Sequence, residues 1–293
     1  MAELRQCARC AGPPDPAAGE RAGGKAGAHP AIPHGRLIVD NVAFVAPNSN
    51  RPILQKVGFT LEAGEVLGII GPSSAGKSTL ARILMGILPP TAGTVRLDGA
   101  NITQWPKTHL GRYLGYLPQE VELFPESVAA NICRFERVDD HLVIEAAKLA
   151  GVHELILQLP QGYDTIIGPG GTLLSGGYRQ RIGLARAVYG MPKFVLLDEP
   201  SSNLDAVGDQ ALGHAIHNLR ANGTTVIIIS HRSGTIASVD KLLLLKDGQV
   251  EAFGDRQSIM NRFAAPTTPQ KPAQPVKVIN VKPPAAAGQG GQA

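Results

Sequence analysis

The feature that most constrains the fold is a glycine-rich turn between an apolar run and a helical stretch. Val66–Ile70 is short and wholly apolar, which is typical of a strand buried on both faces. Gly71–Thr79 then matches the pattern G-x-x-x-x-G-K-[ST], and Lys77–Leu88 has the apolar spacing of a helix. A strand, a tight turn and a helix in this order predict a loop whose backbone N–H groups surround a phosphate, at a helix N-terminus that adds partial positive charge.

The residues of this turn predict which phosphates are bound. Lys77 would reach the β- and γ-phosphates of a nucleoside triphosphate, and the Ser78 hydroxyl would bind Mg²⁺. ATP and Mg²⁺ are therefore the predicted substrate and cofactor. The predicted nucleotide-binding residues of the turn are Gly71, Pro72, Ser73, Ser74, Ala75, Gly76, Lys77, Ser78 and Thr79.

A second apolar run, Val195–Leu197, ends in two carboxylates, Asp198 and Glu199. Buried carboxylates are costly unless they are paired or bind a metal. We therefore expect Asp198 to be the second Mg²⁺ ligand and Glu199 to polarise the water that attacks the γ-phosphate. In isolation the pair would be interpreted as solvated acids at a strand end, but the turn at Gly71–Thr79 favours the chemical role.

A second helix N-terminus suited to phosphate lies where Ser175, Gly176 and Gly177 open the helical stretch Tyr178–Tyr189. Ser175 by itself would be an ordinary helix cap. One ATP does not need two such sites from one chain. A head-to-tail homodimer explains both, because each γ-phosphate would then lie between Lys77 of one copy and Ser175 of the other.

The remaining pattern predicts an α/β fold. Strand-like and helix-like runs alternate in the second half of the chain, which favours a parallel sheet with helices on both faces. The predicted class is a P-loop NTPase core with a mixed sheet and flanking helices, an antiparallel β-subdomain, and an inserted α-helical subdomain at about residues 120–180. The predicted strands are Leu37–Val45, Val57–Leu61, Val66–Ile70, Phe194–Leu197, Thr224–Ser230 and Lys241–Lys246, and the predicted helices of the insertion are Ser127–Ile132, Asp139–Ala150 and Gly177–Tyr189.

Composition limits what the rest of the chain does. Residues 1–34 and 264–293 lack a hydrophobic period and predict a disordered linker-like arm and a disordered basic tail. Cys7 and Cys10 form a C-x-x-C with no further ligand nearby, so reduced thiols are favoured over zinc. A net charge of +4 without a basic cluster argues against nucleic acid as a partner. With no apolar run near the roughly 18 residues of a membrane helix and no signal-peptide core, we expect a cytoplasmic location.

The ordered motifs resemble the nucleotide-binding domain of ABC transporters over about residues 36–262. The resemblance implies that Gln119 touches Mg²⁺ and senses a membrane domain. It also implies that His231 contacts the γ-phosphate and that Ser202–Asp205 lies at the dimer seam. The implied catalytic residues are Glu199, His231 and Gln119, and the implied metal ligands are Ser78, Gln119 and Asp198.

A closer resemblance is to exporter domains, and among them to type I secretion ATPases of the protease and lipase exporter branch. It rests on Gly115–Ile132, Arg179–Gly190, Pro200–Asp205 and Phe253–Arg256. It implies ATP hydrolysis coupled to export at the cytoplasmic face of the inner membrane. A transmembrane domain, a periplasmic adaptor and an outer-membrane channel are the implied partners.

The chain departs from the family pattern at three points. Tyr178 stands where a Gln is usual, and we expect a mild effect on hydrolysis. Ala46 and Pro47 stand where an aromatic residue usually stacks on adenine, and Phe44 or Phe59 could substitute. The membrane helices that precede such a domain in this branch are absent, so the chain is a fragment, acts with a separate membrane chain, or no longer transports.

Two other classes stay open: a soluble, non-transport ABC ATPase of DNA repair or translation, and an inactive remnant. Repair members need a long coiled coil between the phosphate loop and Asp198, and translation members usually carry two such domains. The sequence has neither feature. ATPase turnover of the purified chain separates a remnant from the other classes.

Overall fold

A computed structural model describes residues 33–264, apart from 48, 50, 169–170 and 172–173. The C-x-x-C of Cys7 and Cys10 lies outside the described residues, as do residues 1–32 of the predicted arm and 265–293 of the predicted tail. No helix in the described part of the chain is long and apolar enough to cross a membrane.

Ten strands and nine α-helices occur in the described ranges, joined by short 3₁₀ turns at Ile102–Gln104 and Gly162–Asp164. The strands are β1 (Leu37–Val45), β2 (Pro52–Leu61), β3 (Val66–Ile70), β4 (Ala92–Leu97), β5 (Ala100–Asn101), β6 (Leu114–Leu117), β7 (Phe194–Asp198), β8 (Thr225–Ile229), β9 (Lys241–Lys246) and β10 (Gln249–Asp255). The helices are α1 (Lys77–Leu84), α2 (Lys107–Tyr113), α3 (Val128–Ile132), α4 (Asp140–Leu149), α5 (His153–Leu157), α6 (Gly176–Val188), α7 (Ala206–Ala221), α8 (Ser233–Ala237) and α9 (Arg256–Ala264).

The larger sheet has the strand order β10-β9-β3-β8-β7-β6. Its strands from β9 to β6 run parallel, and β10 pairs antiparallel with β9. Every residue of β7 and β8 is buried, as expected for strands covered on both faces. The predicted mixed sheet with flanking helices is therefore confirmed.

The smaller sheet, β2-β1-β4-β5, is wholly antiparallel, as predicted. One apolar cluster joins this sheet to α1 and to one face of the larger sheet, with Leu37, Leu80 and Leu67 as examples from the three elements. A second cluster joins the opposite face of the larger sheet to the helices α3, α4, α6 and α7. The larger sheet is thus the layer that both cores share.

The helical insertion lies between β6 and β7. Its helices begin where capping side chains stand: Ser127 Oγ accepts a hydrogen bond from Ala130 N at 3.0 Å, and the Asp139 carboxylate accepts from His141 N and Leu142 N. Both caps satisfy backbone N–H groups that a helix cannot pair internally. The local sequence therefore fixes these starts.

Two predicted boundaries were wrong. Helix α1 ends at Leu84 instead of Leu88, because Gly86 adopts a left-handed backbone (φ +67°) and Ile87 N bonds back to Arg82 O at 2.9 Å. Strand β2 begins at Pro52 instead of Val57, because its first half pairs with the end of β1 through irregular register shifts. Such shifts break the two-residue alternation that marks a strand in sequence.

Candidate functional site

The predicted site residues other than those of the Ser175 loop lie at one edge of the larger sheet. The phosphate loop follows β3, His231 follows β8, Asp198 ends β7 with Glu199 next to it, and Gln119 follows β6. These four strands are consecutive neighbours in the sheet and run parallel, so their carboxyl ends share an edge. This is the edge at which open α/β sheets bind ligands.

The phosphate loop needs glycine at its first position. Gly71 has φ +153°, and a Cβ there would lie 2.0 Å from Leu245 O, so no larger residue fits. Lys77 Nζ donates to Gly71 O and Pro72 O, both at 2.8 Å, which holds the ammonium over the loop. The first turn of α1 has no side-chain cap and no acidic residue. The N–H groups of this turn therefore have no capping side chain and are suited to bind an anion.

Asp198 lies beside this loop and is 2% exposed. Burial raises the pKa of its carboxyl group, while a hydrogen bond from the Ser78 hydroxyl and the charge of Lys77 act in the opposite direction. A hydroxyl and a buried carboxylate in contact form the hard oxygen set that Mg²⁺ prefers. Ser78 and Asp198 therefore fit the predicted metal.

Gln119 lies at the same edge but toward the helical insertion. Its side chain is exposed and borders a cleft of about 310 Å³ that Gly176, Gln180 and Asn203 also line. The strand topology places Gln119 one strand beyond Asp198. Its contact with Mg²⁺ stays a prediction.

Glu199 and His231 form a pair across β7 and β8. Glu199 Oε1 lies 3.0 Å from His231 Nδ1, and the side chains are 15% and 81% exposed respectively. Glu199 has a left-handed backbone at φ +49°, and its N–H donates to Ile229 O at 2.9 Å. A non-glycine residue keeps this strained backbone only where the surrounding structure holds it. Such residues are common at functional sites.

Ser175 caps α6, with Oγ 3.4 Å from Tyr178 N. The cap and the proposed contact with a partner's phosphate do not exclude each other, because Ser175 is exposed. Gly177 packs against the chain just beyond Glu199: a Cβ there would lie 3.0 Å from Asn203 O. The side chain of Tyr178 is half-buried, and nothing in the structure assigns it a contact with nucleotide.

Of the two aromatic residues considered for adenine stacking, Phe59 is excluded. Its ring is 6% exposed and packs in the core at 5.8 Å from the Phe253 ring. Phe44, half-buried near the end of β1, stays the candidate.

Two polar residues of α6 that contact the site were not predicted from the sequence. The Gln180 amide is 2% exposed and lies 3.2 Å from Pro200 O. The Arg181 guanidinium, 7% exposed, pairs with Asp205. Polar residues on the inward face of an otherwise apolar helix were the signal for them. No cluster of three or more His, Cys, Asp or Glu residues suited to a metal occurs in the described ranges.

A family model and several known proteins are similar to this chain. The family model described as "ABC transporter" matches residues 54–202. The type I secretion system ATP-binding protein PrsD of Rhizobium meliloti (strain 1021) is 50% identical over 235 residues, which cover 80% of this chain and 40% of that protein. ABC transporter B family member 13 of Arabidopsis thaliana is 38% identical over 229 residues, covering 78% of this chain and 18% of that protein.

The solved structure of a bacterial Atm1-family ABC exporter with ATP bound aligns with this chain with a TM-score of 0.73. It is 34% identical and covers 81% of this chain and 42% of that one. The chain thus spans less than half of each of these relatives. The resemblance inferred from the motifs is confirmed: the chain belongs to the ABC transporter family and contains its ATPase domain.

Proposed function

We propose that this chain binds and hydrolyses ATP to drive an ABC exporter, and that the exporter is a type I protein secretion system. The observation that carries the proposal is the convergence of Lys77, Ser78, Asp198 and the Glu199–His231 pair at one sheet edge. A cation for phosphate, two oxygen ligands for Mg²⁺ and a carboxylate for water are the parts that phosphoryl transfer to water needs.

The phosphate loop would bind the triphosphate. Its N–H groups and the start of α1 would bind the phosphate oxygens, and Lys77, which now donates to two carbonyl groups, would donate to the β- and γ-phosphates instead. Ser78, Asp198 and Gln119 would hold Mg²⁺, which neutralises charge on the β- and γ-phosphates when bound. Binding therefore orients the γ-phosphate toward the end of β7.

Glu199 would act on the attacking water. Its Oε atoms accept a hydrogen bond from the water, which raises the electron density on the water oxygen. His231 Nδ1, 3.0 Å from Oε1, holds the carboxylate in one orientation. The exposed remainder of the imidazole faces solvent at the sheet edge, where a γ-phosphate would be within its reach.

The exposed Ser175 loop supports a homodimer that encloses two ATP molecules. The loop has the form of an anion site yet belongs to a helix other than the one that begins at Lys77. In a head-to-tail pair, Ser175, Gly176 and Gly177 of one copy would complete the site of the other. ATP would then favour the closed dimer, because it contacts both copies only in that state.

An apolar groove between the end of α1 and helix α2 is suited to a transmembrane domain. It has a volume of about 420 Å³ and is lined mainly by apolar residues, among them Met85, Ile87 and Leu110. Arg134 also lines the groove, and the next residue, Phe135, belongs to an exposed aromatic pair. The rings of Phe124 and Phe135 lie 4.9 Å apart, and the residues are 52% and 50% exposed. Exposed aromatic residues next to an apolar groove mark interaction sites.

Type I secretion is favoured by the higher identity to PrsD, 50% against 38% for the plant transporter. In this proposal the chain acts at the cytoplasmic face of the inner membrane through a membrane partner. A periplasmic adaptor and an outer-membrane channel complete the pathway.

The test measures ATP binding by calorimetric titration and hydrolysis by phosphate release, with the full chain. Lys77→Ala should abolish measurable binding, because the loop loses its one cation. Glu199→Gln should bind ATP normally, lose about 100-fold or more in turnover, and accumulate as a dimer with MgATP. Lys148→Ala, an exposed lysine on α4, is the matched control and should match wild type. Normal affinity in Lys77→Ala, or normal turnover in Glu199→Gln, would contradict the proposal.

A further inference from the structure

Gln180 is a buried amide that reaches from α6 to the segment carrying Glu199. Its side chain is 2% exposed, and Nε2 lies 3.2 Å from Pro200 O and 3.5 Å from Glu199 O. Buried polar groups keep hydrogen-bond partners, because an unpaired one loses its hydration without a replacement. The partners of this amide are therefore fixed, and both belong to the backbone next to the proposed catalytic carboxylate.

The backbone at Glu199 needs contacts from neighbouring elements to maintain its conformation. Glu199 has φ +49°, a left-handed conformation that is strained in a non-glycine residue. On one side its N–H donates to Ile229 O at 2.9 Å, which ties it to β8. On the other side the Gln180 amide binds the carbonyl groups. Together these two contacts set the direction in which the Glu199 side chain leaves the strand.

Helix α6 is also the helix that begins at Ser175. Gln180 lies five residues further on, about 7.5 Å along the helix axis. Two further contacts fasten the same turns to the chain beyond Glu199: Gly177 packs against Asn203 O, and the Arg181 guanidinium pairs with Asp205. The start of α6 is therefore fastened to residues 199–205 at three points.

We propose that Gln180 is a positioning residue that makes the placement of Glu199 depend on what the Ser175 loop contacts. The inference rests on the proposed function. In the head-to-tail dimer, Ser175 would meet the ATP of one site while Glu199 of the same copy acts in the other site. Displacement of α6 at its N-terminus passes through the Gln180 amide to the carbonyl groups of Glu199 and Pro200. Hydrolysis at one site thus depends on ATP at the other.

The first variant removes the hydrogen-bond donor and keeps the length of the side chain. Gln180→Met should lower kcat about tenfold, the equivalent of one buried hydrogen bond lost from the transition state. The KM and the calorimetric Kd for ATP should stay within about twofold, because the phosphate loop is unchanged. The Hill coefficient for ATP should fall toward 1, because the two sites lose their connection.

The second variant separates hydrogen bonding from packing. Gln180→Glu keeps the shape, but an ionised carboxylate repels two carbonyl oxygens, while the protonated form donates to them. Burial and the carbonyl groups should raise the pKa of this new carboxyl above its usual value of about 4.3. Turnover relative to wild type should therefore rise as pH falls from about 8 to about 5.5.

Gln158→Met, an exposed glutamine at the end of α5, is the control and should match wild type throughout. Wild-type kcat and Hill coefficient in Gln180→Met would overturn the inference, and so would a pH-independent ratio for Gln180→Glu; the proposed function would stand in both cases. Absence of ATP hydrolysis in wild type would instead overturn the proposed function, and this inference with it.

Discussion

Ser175 caps α6 in its own chain and, in the proposed dimer, contacts the γ-phosphate bound to the partner copy. Ser175→Arg should leave ATP affinity within about threefold, because the phosphate loop, Asp198 and Glu199 are untouched. It should lower turnover about 100-fold or more, since a bulky side chain at an exposed seam keeps the two copies apart. Loss of the cap costs about 1 kcal/mol and leaves the fold intact.

The measurements for this substitution are calorimetric ATP binding, phosphate release and size-exclusion chromatography with MgATP. Ser258→Arg, an exposed serine on α9, carries the same change away from the seam and should behave as wild type. An active Ser175→Arg variant would contradict a shared site and would favour the simple capping role.

The local geometry of single residues could be predicted where the determining contacts are local. Gly71 and Lys77 are fixed by a strand–turn–helix that nine consecutive residues encode, so the motif was sufficient. The contact between Glu199 and His231 spans 32 positions of sequence and exists only because β7 and β8 are neighbours. The inward position of Gln180 has a sequence signal, but its hydrogen-bond partners do not, because backbone carbonyl groups have no signature in the sequence.

Arg134 follows the C-cap of helix α3, Cys133, and connects this end of the helix to neighbouring elements. Its guanidinium donates to four carbonyl oxygens, those of Gly111, Leu114, Arg186 and Ala187, at 2.6–3.1 Å. Burial lowers the pKa of Arg134, but a guanidinium stays charged at any pH at which the protein folds. Arg134 therefore adds a charged tie from the end of α3 to α2, β6 and α6, beside the apolar cluster that packs the insertion against the sheet.

Arg134→Met should destabilise the fold by about 2–3 kcal/mol, because four carbonyl groups lose a charged donor. For a folded unit of this size the Tm should fall by about 4–12 °C. Differential scanning calorimetry measures the shift, and Arg137→Met, which removes an exposed charge three residues away, should change the Tm by no more than about 2 °C. Equal shifts in the two variants would show that Arg134 has no such role.

The helices and strands themselves were predicted best where capping side chains or unbroken apolar runs mark them. Strands β1, β3 and β9 match their predicted bounds, and α4 differs from its predicted range by one residue at each end. The start of β2 was missed because a bulged register hides its alternation. Pairing with β1 makes this segment a strand in the folded sheet, and that pairing cannot be seen in the sequence of β2 alone.

The order of strands in the larger sheet shows what the sequence alone leaves open. Alternation of strands and helices indicates parallel pairing, but the order β3-β8-β7-β6 depends on which apolar faces pack together. That order brings four motifs from positions 71 to 231 to one edge. The groove near Met85 was not predicted for the same reason, since α1, α2, β6 and Arg134 meet there only after folding.

The aromatic pair Phe124 and Phe135 should anchor the membrane partner. The double substitution Phe124→Ser/Phe135→Ser removes two half-exposed rings, so ATP hydrolysis by the isolated chain should stay within about twofold of wild type. Association with the purified membrane domain in detergent, followed by microscale thermophoresis, should weaken about 30-fold or more, as expected when interface aromatics worth about 2 kcal/mol are lost. Leu157→Ser/Val207→Ser, which removes two other exposed apolar side chains, is the control. Unchanged association in the aromatic variant would place the docking surface elsewhere, because the two rings are the exposed aromatic surface from which this site is inferred.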